Sequence, residues 1–321
     1  MNQLSLKEVA ASVLHKTGNL EARNDIFNIP NLPSARSLRS NLRFLDSIYR
    51  FAPEVRLHPG DPNRPSSVGW YLQTVRMRRH RQWWPDEHIL DRGDVTVSRL
   101  ISQSSGGEHS GRGRDGTQFF LQIASNDSLI RKGSLQSAEC YVHFRHAPQR
   151  NGQIDIQYWF FYPYNSFGPG HEGDWEHITV RVTNNFNIRR IFFASHARES
   201  EWHRPTGFHL NNAGHPIVYS AIGSHACYWF AGKRDRGKFH TAEIPPDDFT
   251  ANGGPVWKTW ENLRIIGEFD NPLSNQEWIK YTGHWGEIGT AGTSELLVTS
   301  GPYGPAFQAW WDDDDEGNKS L

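Results

Sequence analysis

Residues 168–182 read Gly-Pro-Gly-His-Glu-Gly-Asp-Trp-Glu-His-Ile-Thr-Val-Arg-Val. A glycine-rich turn runs directly into an alternating stretch, and alternation at period 2 is the signature of a strand. On that strand Asp174 and Glu176 share a face with Ile178, Val180 and Val182, while His177, Thr179 and Arg181 share the other. The two carboxylates therefore continue the apolar, inward face. A carboxylate in that position is paired, protonated or bound to a metal, because an unpaired buried charge is costly. The plain structural alternative is a pair of salt bridges to arginines such as Arg145 or Arg190.

Further strands are expected on both sides of this one: Cys140–Phe144, Ile154–Tyr162, Arg190–Ser195, Ile217–Ala221 and Leu296–Thr299. Composition agrees. The 321 residues include 13 Trp, 18 Phe and 10 Tyr, which favour pleated surfaces, and 29 Gly with 18 Pro, which many short strands need for their turns. The expected fold is mainly β: an aromatic-rich β-sandwich with long loops and an N-terminal helical extension. The extension is expected over residues 1–47, the sandwich over 48–311 and an acidic tail over 312–321. Ser5 with Glu8 forms a capping box ahead of Val9, Ala10, Val13 and Leu14, and a second helix carries Leu38, Leu42, Leu45 and Ile48 before Pro53 ends it. Residues 102–116 form a low-complexity loop.

The charge balance excludes some functions. With 34 Lys+Arg against 35 Asp+Glu the formal charge is −1, which argues against a nucleic-acid binder. The single basic cluster with aromatics beside it, Arg76–Arg81 followed by Trp83 and Trp84, reads as a solvated loop whose arginines could position an anionic ligand. Two cysteines, Cys140 and Cys227, are too few for a disulfide framework. No basic-then-apolar leader and no apolar run of membrane-spanning length is present, so a cytoplasmic chain is expected. No nucleophile elbow, Walker A loop or dinucleotide fingerprint occurs in a strand-to-helix context.

Three histidines complete the candidate site. His171 lies in the glycine-rich turn, His196 follows the apolar run Ile191–Ser195, and His225 lies in the turn after the strand Ile217–Ala221. Imidazole with carboxylate suits a divalent ion such as Zn²⁺, Mn²⁺ or Mg²⁺, or an acid–base pair; an oxygen-rich site would suit Ca²⁺. The expected metal ligands are Asp174, Glu176, His196, His225 and His171. The expected catalytic groups are Glu176, His225 and His171. Two functions follow: a metal-assisted hydrolase or lyase acting on a small or carbohydrate-like molecule, or a lectin-like or lipid-headgroup-binding module without catalysis. In either case the partner is a small-molecule or glycan ligand.

The chain also resembles a known family. Ile48-Tyr49-Arg50-Phe51-Ala52-Pro53, Leu57-His58-Pro59 and Pro65-Ser66-Ser67-Val68-Gly69-Trp70 look like the opening signature of the Vps62-related family. Asp155–Asn165, Gly170–His177, Ser195-His196, Val218–Tyr228, Gly283–Gly286 and Gly301–Pro305 follow in that family's order, so the resemblance spans about 48–311. A more distant likeness is to the necrosis-inducing cytolysins, whose G-H-R-H-D-W-E motif supplies metal ligands on a β-sandwich. His171-Glu172-Gly173-Asp174-Trp175-Glu176 is similar, with Glu172 and Gly173 standing where that motif has Arg-His. This likeness implies Asp174 and Glu176 as ligands and leaves one position for His196 or His225.

Overall fold

A computed structural model describes residues 46–308 and 311, apart from 106, 108–115, 125–126, 147–152, 196–199, 235–246, 268, 270 and 290–299. His196, the strand expected at Leu296–Thr299, the acidic tail and residues 1–45 of the expected N-terminal helices lie outside the described residues.

Strands are numbered in chain order. The central sheet runs β15 (Leu263–Ile265), β5 (Cys140–His146), β6 (Ile154–Asn165), β7 (His171–Val182), β8 (Ile188–Phe193) and β9 (Glu201–His203), with only β15 and β5 parallel. A second sheet has the order β11 (Cys227–Tyr228), β10 (Ile217–Ser220), β1 (Glu54–Leu57) and β14 (Val256–Lys258). A third is β3 (Glu87–Leu90), β2 (Val75–Arg81) and β4 (Thr117–Ile123), and β12 (Gly232–Arg234) pairs with β13 (Asp248–Thr250). The long β6–β7 pair is antiparallel and places Tyr162 opposite Asp174 and Phe160 opposite Glu176.

The sandwich has a third layer. Ile156, Tyr158, Phe160, Tyr162, Ile178, Val180 and Val182 pack against Val55, Leu57, Val218, Cys227 and Trp257 of the second sheet. The alternate residues Tyr141, Trp159, Phe161 and Trp175 pack against Val75, Met77, Phe119 and Leu121 of the third. Covering both faces explains why β6 reads as a near-continuous apolar run rather than an alternating one. It also corrects the expected polar, outward face of β7: His177, Thr179 and Arg181 are buried too. Arg181 is tolerated there because its guanidinium makes a bidentate pair with Asp155, Nε to Oδ1 at 2.7 Å and Nη2 to Oδ2 at 2.8 Å, both side chains being 0% exposed.

The tryptophans are mainly core. Trp175 stacks on Trp278 (5.3 Å, 12°) and meets Trp285 edge-on (5.2 Å, 90°), so Trp175 is a packing residue, as is the buried Tyr158. The first described residues, 46–50, are helical, and they belong to the core: Ile48 is buried and its carbonyl accepts from Tyr158 Oη at 2.7 Å. Both cysteines are buried and free. Among the described residues no helix is long and apolar enough to cross a membrane.

Candidate functional site

The site begins with a glycine. Gly173 has φ +67, and a Cβ there would stand 2.2 Å from the Trp285 carbonyl oxygen, so only glycine fits. Its left-handed backbone interrupts the alternation of β7. Glu172 therefore points toward the third sheet, where Oε2 accepts from Ile123 N at 2.8 Å, while Asp174 points toward the second. The result is two buried carboxylates, two positions apart, serving different layers.

Asp174 is met by His225. The chain leaves β10 in a turn closed by Ala221 N to the Ala226 carbonyl (3.0 Å) and His225 N to the Ala221 carbonyl (3.1 Å). His225 adopts φ +59, an uncommon conformation for a non-glycine residue that costs on the order of 1 kcal/mol. That conformation buries the ring completely (0% exposed) and lays it flat on Tyr162, with centroids 3.8 Å apart and planes at 4°. His225 Nδ1 donates to Asp174 Oδ2 at 2.8 Å. Asn165 Nδ2 donates to the same oxygen at 3.1 Å and to the Ser224 carbonyl at 3.3 Å. The turn is further held by Asp248, whose Oδ1 accepts from Ser224 Oγ and whose Oδ2 accepts from Tyr228 Oη, each at 2.7 Å.

The other ring nitrogen faces a second carboxylate. His225 Nε2 is buried without a hydrogen-bond partner and lies 3.5 Å from Asp61 Oδ2. Asp61 sits in the turn after β1 and is fixed by backbone donors, Asn63 N to Oδ1 at 2.9 Å and Gly223 N to Oδ2 at 3.0 Å. The imidazole is thus clamped between Asp174 and Asp61. Nδ1 carries the proton that Asp174 accepts, and Nε2 faces Asp61.

The surroundings are electronegative. Burial pushes the Cys227 thiol well up, and the charges of Glu176 and Asp174 push it further, so it is a poor nucleophile. Burial likewise raises Tyr162; its hydrogen bond to Ser220 lowers it, while Cys227, Asp61 and Glu176 raise it. Glu172 is raised to about 7, chiefly by burial; the Ile123 N–H works against this, Glu287 adds to it, and Arg131 works against it.

Of the residues expected from the sequence, Asp174 and His225 are brought together. Glu176 lies one pleat farther along the same face and is half-buried. His171 is turned back on its own strand, Nδ1 donating to the Gly173 carbonyl at 2.7 Å, and is not part of the clamp. Asp174 is partnered by His225 and Asn165 rather than by an arginine. Sequence reasoning missed Asp61 and Asn165. The signal for Asp61 was the Pro59-Gly60-Asp61-Pro62 turn directly after a strand, which reads as ordinary loop punctuation. Among the described residues, no three His, Cys, Asp and Glu side chains are grouped tightly enough to enclose an ion on their own.

The fold and this His–Asp clamp define a class, a mainly β protein with a buried polar site at the end of its longest hairpin. The chain belongs to the vacuolar protein sorting-associated protein 62 family, whose model matches residues 8–291. It is 24% identical to vacuolar protein sorting-associated protein 62 of Saccharomyces cerevisiae, over 74% of this chain and 58% of that protein. It is 26% identical to the putative vacuolar protein sorting-associated protein TDA6 of the same yeast, over 49% of this chain and 42% of that one. The chain thus spans about half the length of the curated relatives it matches. Solved structures similar to it include one described as a toxin fold for microbial attack and plant defense, at 13% identity and TM-score 0.37 over 74% of this chain and 79% of that one. Another is NLPPya in complex with glucosamine, at 13% identity and TM-score 0.35 over 79% and 85%. These structural likenesses are distant.

Proposed function

We propose that this chain is a divalent-cation-dependent binding module for an oxygen-rich small molecule or glycan, with the ion held by His225 and Asp61. One observation carries the reading: the orphaned, buried Nε2 of His225 stands 3.5 Å from Asp61 Oδ2. That separation is too long for a hydrogen bond. It matches the roughly 3.4 Å between two ligands that each lie about 2.1 Å from a tetrahedral ion. Asp174 then has the supporting part that a carboxylate plays behind a metal-bound histidine, fixing the tautomer and ring orientation through Nδ1. An imidazole among carboxylates favours Zn²⁺ or Mn²⁺ over Ca²⁺.

Two protein ligands leave coordination positions for water, Glu176 or ligand hydroxyls, and the ion supplies the positive charge that draws those oxygens in. His225 itself is fully buried and fixed through Nδ1, so it is better suited to holding an ion than to exchanging protons with a substrate. Glu176, half-buried on the same face, supports a second reading in which it acts as base for a metal-assisted hydrolysis. Calorimetric titration of chelator-treated protein with Zn²⁺, Mn²⁺, Mg²⁺ and Ca²⁺ tests the site. Asp61→Asn is expected to abolish binding and Asp174→Asn to weaken it about 10–100-fold. Equal affinity in all three proteins contradicts it. A glycan array probed with and without chelator, with products assayed, separates binding from turnover.

A further inference from the structure

The third sheet, on the far side of the central sheet from His225, carries a feature the cation site does not use. The β2–β3 hairpin turns through Gln82-Trp83-Trp84-Pro85-Asp86, and its tip exposes two consecutive tryptophans, Trp83 at 90% and Trp84 at 71%. The other tryptophans of the second core, Trp159, Trp175, Trp278, Trp285 and Trp311, are buried. The turn is closed by Trp84 N to the Arg81 carbonyl at 3.0 Å, and Trp83 has φ +72. A left-handed position in a tight turn is the place of Gly or Asn, and a bulky aromatic there is an outlier held under strain. Folding alone gives no reason to put Trp at that position or to leave both rings in water.

The stem is cationic. Over residues 75–90, Arg76, Arg78, Arg79 and Arg81 face only Asp86 and Glu87, so four positive against two negative leaves +2 in a chain whose total is −1. Arg79 and Arg81 share the single carboxylate of Glu87, and Arg78 donates to the Asp86 carbonyl at 2.9 Å. Three kinds of partner differ in what they require of such a tip. A small molecule needs a concave site, and this tip is convex. Strand addition by another chain needs a bare sheet edge, and the edge strand β3 is short and carries Glu87 and His88. A bilayer surface takes a convex tip, accommodates indole at its headgroup level and attracts arginine when it carries anionic lipid.

We infer that the Trp83–Trp84 hairpin tip seats this protein on an anionic membrane surface, with both indoles in the interface and the β2 arginines over the headgroups. The protein lies on the membrane and does not span it.

Co-sedimentation of the full chain with vesicles tests this, comparing pure phosphatidylcholine with phosphatidylcholine containing about 30% phosphatidylserine. The variant is Trp83→Asn with Trp84→Ser; Asn suits the left-handed turn, so its thermal midpoint is expected to match that of the parent. The expected result is binding to the anionic vesicles that weakens with added salt and falls at least about tenfold in the variant. Absence of vesicle binding, equal binding by parent and variant, or equal binding to neutral vesicles would overturn it. So would selective capture of a soluble protein through the tip with no lipid binding.

Discussion

Two carboxylates of β7 do unlike work because one glycine turns between them. Asp174 fixes His225, while Glu172, with Gly173 between them, ends at the Ile123 amide in the other core. Glu172 gives the chain a pH dependence whose sign is fixed. Its carboxyl titrates near 4.5 when unfolded and near 7 when folded, so between those values the folded chain binds a proton that the unfolded chain lacks. Stability therefore falls as pH rises through that window, by up to about 3 kcal/mol if the whole difference is expressed. Glu172→Gln is expected to flatten the slope, read as denaturant unfolding free energy at about pH 5 and about pH 8. An unchanged slope in the variant would place the effect elsewhere. At this scale the sequence showed half of the site. Asp174 and Glu176 were legible because period 2 put them on the apolar face of β7, and His225 because it follows a strand in a Gly-Ser turn. Asp61 was not, since it lies 164 positions before His225 and only the parallel pairing of β1 with β10 brings their turns together.

Among the elements, β6 and β7 carry the architecture. Their alternate side chains enter two cores, so a local change at the hairpin is felt on both faces. Gly173→Ala puts a methyl group against the Trp285 carbonyl and forces alanine into φ +67. The expected cost is about 2–4 kcal/mol, read from chemical denaturation, with weakened cation binding because Asp174 no longer meets His225. A cost under about 0.5 kcal/mol would mean that the turn does not set the alternation. The positions of the strands were largely readable: those expected at 140–144, 154–162, 190–195 and 217–221 correspond to β5, β6, β8 and β10 within a few residues. What periodicity could not convey was the third layer. Its strands β2 and β4 carry the mixed pattern Val-Arg-Met-Arg-Arg-His-Arg and the run Phe119-Phe120-Leu121, separated by residues 82–116, so their pairing is a long-range event. The basic cluster expected to be a solvated loop is strand β2, with Val75, Met77 and His80 buried, Arg76, Arg78 and Arg79 half-buried and Arg81 exposed.

The whole molecule is a mainly β body in which three sheets enclose two aromatic cores, with a clamped histidine between the first and second sheets and a tryptophan tip on the third. The central claim is that the clamp exists to hold an ion. Elemental analysis of untagged protein, before and after chelation, with Asp61→Asn and His225→Phe alongside, tests this most directly. His225→Phe keeps the flat contact with Tyr162 and removes the nitrogens, so a folded but metal-free variant separates binding from packing. The expected result is about one divalent ion per chain in the parent, removed by chelator, and none in either variant. A parent without metal after reconstitution, or variants that retain it, would contradict the account and leave the clamp as a packing device.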